Sequence, residues 1–211
     1  MEPVYGKNNK EERPLAHYLE RYRAAAPGEM SVRCGLPWDD KTRRFALTFL
    51  GERFTLTHPE FAAEGSRTLT NAERILLLRY LLEGRAAPAG GRWHTYREVP
   101  RGEVYLQQFD GRCVKRFAFT YGGRPELLGR VMARLPAVRL SRGDAGYQVE
   151  LLPGLRIQFI LWLGDEEFPP SGQILFSDNF LLAFTAEDMA VIGDIVLGRM
   201  KTLTAEEEKL L

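Results

Sequence analysis

Along RRFALTFLGERFTLTHP, apolar and polar positions alternate: Phe45, Leu47 and Phe49 in a first run, Phe54 and Leu56 in a second. A period of two sends one set of side chains to one face. Two antiparallel strands are therefore expected over residues 44–57, joined at Gly51 and Glu52 as a short hairpin. Before them the period lengthens. EERPLAHYLERYRAAA (11–26) places Leu15, Tyr18, Leu19 and Tyr22 at helical spacing, with Pro14 at a tolerated first-turn position. After the hairpin, TNAERILLLRYLLEG carries Thr70 three residues ahead of Glu73 as a capping box and Gly84 as a stop. That pattern predicts a helix over 70–83, facing a core through Ile75, Leu77, Leu78, Leu81 and Leu82.

GRAAPAGGR reads as a loop. WHTYREVPRGEVYLQQF passes from an extended piece through Pro100 into a helix whose Val104, Phe109, Val114 and Phe117 point inward, and RPELLGRVMARL adds a short helix with Leu127, Leu128, Val131, Met132 and Leu135. Strand patterns return in YQVELLP, LRIQFILWLG and QILFSD, with turns at Pro153/Gly154 and in GDEEFPPSG. Thr185 and Asp188 open a last amphipathic helix, which the tail TAEEEKLL prolongs or frays. Two groups of strands separated by helices imply an α+β fold with antiparallel pairing across the short connections. One domain is expected, with its core over about residues 15–200 and fraying at 1–10 and 203–211.

The composition, 45% apolar and 27% charged over 211 residues, is long and mixed enough for a full hydrophobic core. The longest apolar run, near 155–163, is too short to span a bilayer and is broken by Arg156 and Gln158. The opening MEPVYGKNNKEERP lacks the apolar core of a secretion signal, so a cytoplasmic location and no membrane partner are expected. The net charge of +1 hides a division: residues 85–142 hold 12 basic and 4 acidic side chains, residues 143–211 hold 4 and 12. A basic segment can bind phosphate or nucleic acid. An acidic segment of the same chain can equally neutralise it, and needs no outside partner. Internal neutralisation is the simpler reading, and nucleic acid is not the expected ligand.

Two clusters could carry chemistry. GDEEFPP puts Asp165, Glu166 and Glu167 in a loop at one end of a sheet, where Gly164 permits a tight bend and Phe168 with Pro169 folds the loop back. Such acids suit Mg²⁺ or Ca²⁺, or can raise one another's pKa to make a proton donor. Alternatively they are a solvated turn that meets the basic middle segment, Asp165 and Glu167 accepting backbone or arginine hydrogen bonds. WHTYREVP offers Trp93, His94, Tyr96 and Arg97, a set able to stack on a flat cofactor or to grip an anion, and equally common at a packed strand edge. His17, His58 and His94 are isolated and read as surface or capping residues. Cys34 and Cys113 have no metal-ligand spacing. Neither a metal site nor an iron–sulfur site held by this chain alone is expected. No GxSxG, P-loop or GxGxxG pattern occurs, which removes the commonest enzyme classes.

RYLLEG followed by WHTYREVP, then GDEEFPP, then ILFSDNFLLAFTAEDM, in this order, resembles an uncharacterised bacterial and archaeal family known as domain of unknown function 3786. The resemblance spans about residues 15–200, and GDEEFP is its most specific part. Some members are fused to a four-cysteine iron–sulfur module. The resemblance implies a reducing cytoplasm, anaerobic one-carbon or redox metabolism, and an iron–sulfur or corrinoid protein as partner; it carries no activity across. In the family an acid often directly follows ILF. Here Ser177 holds that place and Asp178 comes one later, and the four-cysteine module is absent. The expectation is a non-catalytic binding or accessory module for a cofactor or cofactor-bearing protein. Its rival is a metal-assisted, hydrolase-like enzyme using Asp165, Glu166, Glu167 and Asp178, with Arg97 as an anion clamp.

Overall fold

The computed structural model describes residues 12–209. The fold is α+β with antiparallel sheets, and its contacts divide into two compact units: residues to Leu47 with Glu52–Ala86, and Thr48–Gly51 with Ala87 onward.

The first unit holds helices α1 (Glu12–Ala24) and α2 (Pro27–Cys34), strands β1 (Trp38–Asp39), β2 (Arg44–Phe49), β3 (Glu52–Thr57) and β4 (Ala63–Gly65), and helix α3 (Asn71–Glu83), the strands lying in the order β1-β2-β3-β4. The hairpin forms where alternation places it, and Phe45, Leu47, Phe49, Phe54 and Leu56 are all buried. Its turn comes one residue earlier than expected, at Leu50 (φ 49°) and Gly51 (φ 81°), because a two-residue connection of this hand needs positive φ at both positions.

Thr70 and Glu73 close their capping box: Oγ of Thr70 accepts the Glu73 N–H at 3.3 Å, and Glu73 accepts the Thr70 N–H at 2.8 Å. Arg67 adds a guanidinium between Glu73 (2.7 and 2.9 Å) and Glu52 (3.0 Å), over the ring of Phe54. The start of α3 and the start of β3 are thereby tied to one cation. Along α3 the buried set is Leu76, Leu77, Leu78, Tyr80 and Leu81, with Ile75 and Leu82 only half-buried. The shift arises from α2, which no pattern above predicts. Its Cys34 meets Tyr80, whose hydroxyl donates to the Cys34 carbonyl at 3.1 Å, and its Arg33 donates to the carbonyls of Leu81 and Gly84 at the end of α3. His58 is neither a surface nor a capping residue. It is 6% exposed, with Nε2 at 3.0 Å from the Tyr22 carbonyl and its ring against Tyr22 and Trp38.

The second unit contains β5 (Trp93–Thr95), single 3₁₀ turns at Tyr96–Glu98 and Gly102–Val104, α4 (Leu106–Phe109), a π-helical stretch Asp110–Lys115, α5 (Arg116–Tyr121), α6 (Pro125–Ala133), β6 (Ala137–Leu140), β7 (Ala145–Leu152), β8 (Leu155–Trp162), β9 (Ser171–Ser177), α7 (Phe180–Ala183) and α8 (Ala186–Glu208). The sheet runs β5-β9-β8-β7-β6, every pair antiparallel. Leu127, Leu128, Val131, Met132 and Leu135 are buried as the helical period requires. Phe109 and Phe117, on either side of the π stretch, both face the sheet: Phe109 meets Phe176 of β9, and Phe117 meets Phe159 of β8. Val114 is half-buried. Val104 is 64% exposed, not inward, because the chain at 102–104 is a single 3₁₀ turn ahead of α4 and shares none of its face. Residues 203–208 prolong α8, with Leu203 buried and Thr204 bonded to the Tyr121 hydroxyl at 2.8 Å, while residues 1–10 lie outside those described. Among the described residues no helix is long and apolar enough to cross a membrane.

Arg67→Ala leaves Glu52 and Glu73 without their shared guanidinium and is expected to cost about 3 kcal/mol. Thr70→Ala, which removes one cap, is expected to cost about 1 kcal/mol. Urea unfolding at unchanged m-value checks both; an Arg67→Ala loss no larger than that of Thr70→Ala contradicts the bridging role.

Candidate functional site

The acidic loop leaves β8 at Trp162 and re-enters the sheet at Ser171, which pairs with Trp162 across the loop's base. Three local bonds hold it. Asp165 Oδ1 accepts the N–H groups of Glu167 (2.9 Å) and Phe168 (2.7 Å), and the Asp165 N–H donates to the Phe168 carbonyl at 2.9 Å. The Leu163 N–H donates to Asp144 at 2.8 Å. Two close approaches require glycine: a Cβ on Gly164 would lie 2.8 Å from the Phe168 oxygen, and one on Gly122 would lie 2.2 Å from the Pro170 side chain. Between Gly122, Gly123 and the loop runs an open groove of about 370 Å³.

Asp165 thus has the structural role expected of it, as an acceptor for backbone groups that the turn leaves unpaired. Glu167 does not; its own N–H donates to Asp165, and the carboxylates of Glu166 and Glu167 make no hydrogen bond or ion pair among the described residues. Nor do the loop acids meet the basic middle segment. Part of that segment meets α8 instead: Arg112 and Arg116 pair with Asp194, Arg124 with Glu208, and Arg130 and Arg134 with Glu207 and Glu206. Phe168, expected to fold the loop back, does so through its carbonyl, and its ring is 66% exposed. Trp162 and Leu163 are each 40% exposed beside it.

Asp178 stands at the other end of β9, seven residues of strand or about 20 Å from the loop. It is occupied. Its carboxylate accepts the N–H groups of Gly90 (2.9 Å) and Arg92 (3.2 Å), and its own N–H donates to the Arg92 carbonyl. Partial burial alone would raise its pKa, but the N–H groups of Gly90, Arg92 and Asn179, with His94 nearby, outweigh that and hold it below the ordinary carboxylate range. Asn179, beside it, is buried and donates to the Ala87 and Gly154 carbonyls. The four acids named as candidates for one reaction therefore do not converge.

Of the second cluster, Trp93 and His94 lie on β5 opposite Ser177 and Phe176, half-buried. Tyr96 turns inward, stacked on Phe109 at 4.2 Å with its hydroxyl donating to the Ala186 carbonyl at 2.7 Å. Arg97 is exposed. The strand and the 3₁₀ turn thus separate the aromatic body from the guanidinium. Burial pushes the thiol of Cys34 up to about 11 and that of Cys113 to about 12, so neither is a ready nucleophile. Among the described residues no three His, Cys, Asp or Glu side chains are grouped to hold a metal ion.

The family described as Domain of unknown function (DUF3786) matches residues 26–199. The chain belongs to it. Both the WHTYREVP strand and the acidic loop fall inside the matched region. No curated protein and no solved structure matches the chain.

Because the Asp178 pKa is depressed, its contribution to holding the 90–92 loop is complete above the ordinary carboxylate range and fades as pH falls through the lower folded value. Amide exchange at Gly90 and Arg92 is expected to stay slow until that acid limb. In Asp178→Ala it should be fast at every pH; equal protection in the two proteins contradicts the clamp.

Proposed function

We propose that this chain is a non-catalytic binding or accessory module, and that its partner is a cofactor-bearing protein of the iron–sulfur or corrinoid kind in anaerobic one-carbon or redox metabolism. The partner class rests on the family resemblance. The observation that carries the non-catalytic reading is the commitment of the candidate carboxylates: Asp165 and Asp178 accept backbone N–H groups at opposite ends of β9. A metal-assisted hydrolase needs its acids within a few ångströms of one reacting centre and free to ligate or to move a proton. Here Asp165 serves a turn, and Asp178, at the other end of β9, serves a different loop.

Thermal melting of the wild type and Asp165→Asn, each with and without Mg²⁺, Mn²⁺ and Ca²⁺, tests the reading. The wild-type melting temperature is expected not to move with metal, and Asp165→Asn is expected to lower it in every buffer, since charge-assisted bonds to backbone stabilise by about 1.5–3 kcal/mol. A metal bound only by the folded state adds about 2.7 kcal/mol at a hundred times its dissociation constant. A metal-dependent rise that Asp165→Asn abolishes, without lowering the stability of the metal-free protein, would overturn the proposal in favour of the enzyme.

A further inference from the structure

The loop that closes β8 onto β9 combines two properties that its own stability does not require. Its backbone is held by Asp165, by the contact of Gly122 with Pro170, and by the bond from Leu163 to Asp144. Yet the side chains it displays are Phe168, two-thirds exposed, Trp162 and Leu163 at its base, and two glutamates with no partner among the described residues. A turn serving only solubility would show polar groups where Phe168 stands. Arg112, Arg116, Arg124, Arg130 and Arg134 of the middle segment are turned to the acids of α8 and not to Glu166 and Glu167.

We infer that Trp162, Leu163, Phe168, Glu166 and Glu167 form a docking surface for a partner protein that presents basic side chains around an apolar one. The inference rests on the binding-module reading and gives that module its contact face. Charge selects the occupant. A second copy meeting this face about a two-fold axis would bring its glutamates against these glutamates, and like charges so placed repel. A basic partner gains two ion pairs, lays an apolar side chain against Phe168, and has the groove beside Gly122 and Gly123 to enter. The loop is already ordered, so little conformational freedom is lost when it docks.

The probe is a fluorescein-labelled synthetic peptide of arginine, leucine and serine, with a counterpart in which glutamate replaces arginine. Binding is followed by anisotropy against the wild type, Phe168→Ser, and the double variant Glu166→Gln with Glu167→Gln. All three substituted side chains are exposed, and unchanged melting curves establish that the variants fold. The arginine peptide is expected to bind and the glutamate peptide not to. Each variant should bind about tenfold more weakly, and the double variant should lose the salt dependence that Phe168→Ser keeps. Absence of binding to wild type, or equal binding by the variants, overturns the surface. So does concentration-dependent self-association in sedimentation that Phe168→Ser abolishes, which makes the occupant a second copy. Failure here with no metal effect on melting removes this surface and leaves the module reading standing; a metal-dependent rise that Asp165→Asn abolishes, with metal-free stability unchanged, removes the reading itself.

Discussion

Helix starts and tight turns leave backbone N–H groups that must find acceptors, and at several of them this chain supplies carboxylates. Glu73 and Asp188 close capping boxes at the starts of α3 and α8, and Glu98 accepts the Thr95 N–H at the 3₁₀ turn after β5. Asp39, Asp144, Asp165 and Asp178 each hold a loop by the same kind of bond. An acid spent in this way has its lone pairs directed at fixed donors. The requirement that makes the architecture stable therefore also separates the acids that hold backbone from those whose carboxylates stay exposed. Glu166 and Glu167 belong to the second group, one and two residues along from an acid of the first.

Where the determining partners are near in sequence, the fold was legible before the structure. Thr70 with Glu73, and Thr185 with Asp188, are three residues apart, and both boxes form as the spacing requires. Alternation located the hairpin for the same reason, although Leu50 at positive φ moved its turn by one residue. Helix α2 went unread because eight residues are too few to display a period, yet Pro27 inside its start and Gly35 just past its end (φ 62°) are the signals that mark a short helix. Strand β6 left no comparable sign. Its AVRL has two exposed residues in the middle, and its place is set by pairing with β7. At the candidate site, Asp165 was readable from its turn. The role of Asp178 was not, because its donors at Gly90 and Arg92 lie 88 and 86 residues away.

The opposed charges of the two C-terminal segments have a similar resolution. Side by side in sequence they suggest a nucleic-acid face; in the fold the acids of α8 reach back to arginines of the α4–α6 region. Each such exposed pair contributes little to stability. Their larger effect is to cancel part of the field that these arginines would otherwise extend over the surface.

The π stretch at Asp110–Lys115 has a consequence for the phase of everything after it. In a regular helix eight residues overshoot two full turns by about 80°, so Phe109 and Phe117 would point in different directions. The wider π turn absorbs that overshoot and lets both rings reach one sheet. The same correction sets the rotation at which the helix ends, and thus where Gly122 meets Pro170. Rewinding DGRCVK as a regular helix at unchanged length would turn Phe117 and Gly122 together by about 80° out of alignment, whereas deleting one residue would restore a regular pitch and keep both in register. The posture of the acidic loop is thus governed by the winding of a helix some forty residues upstream in the chain.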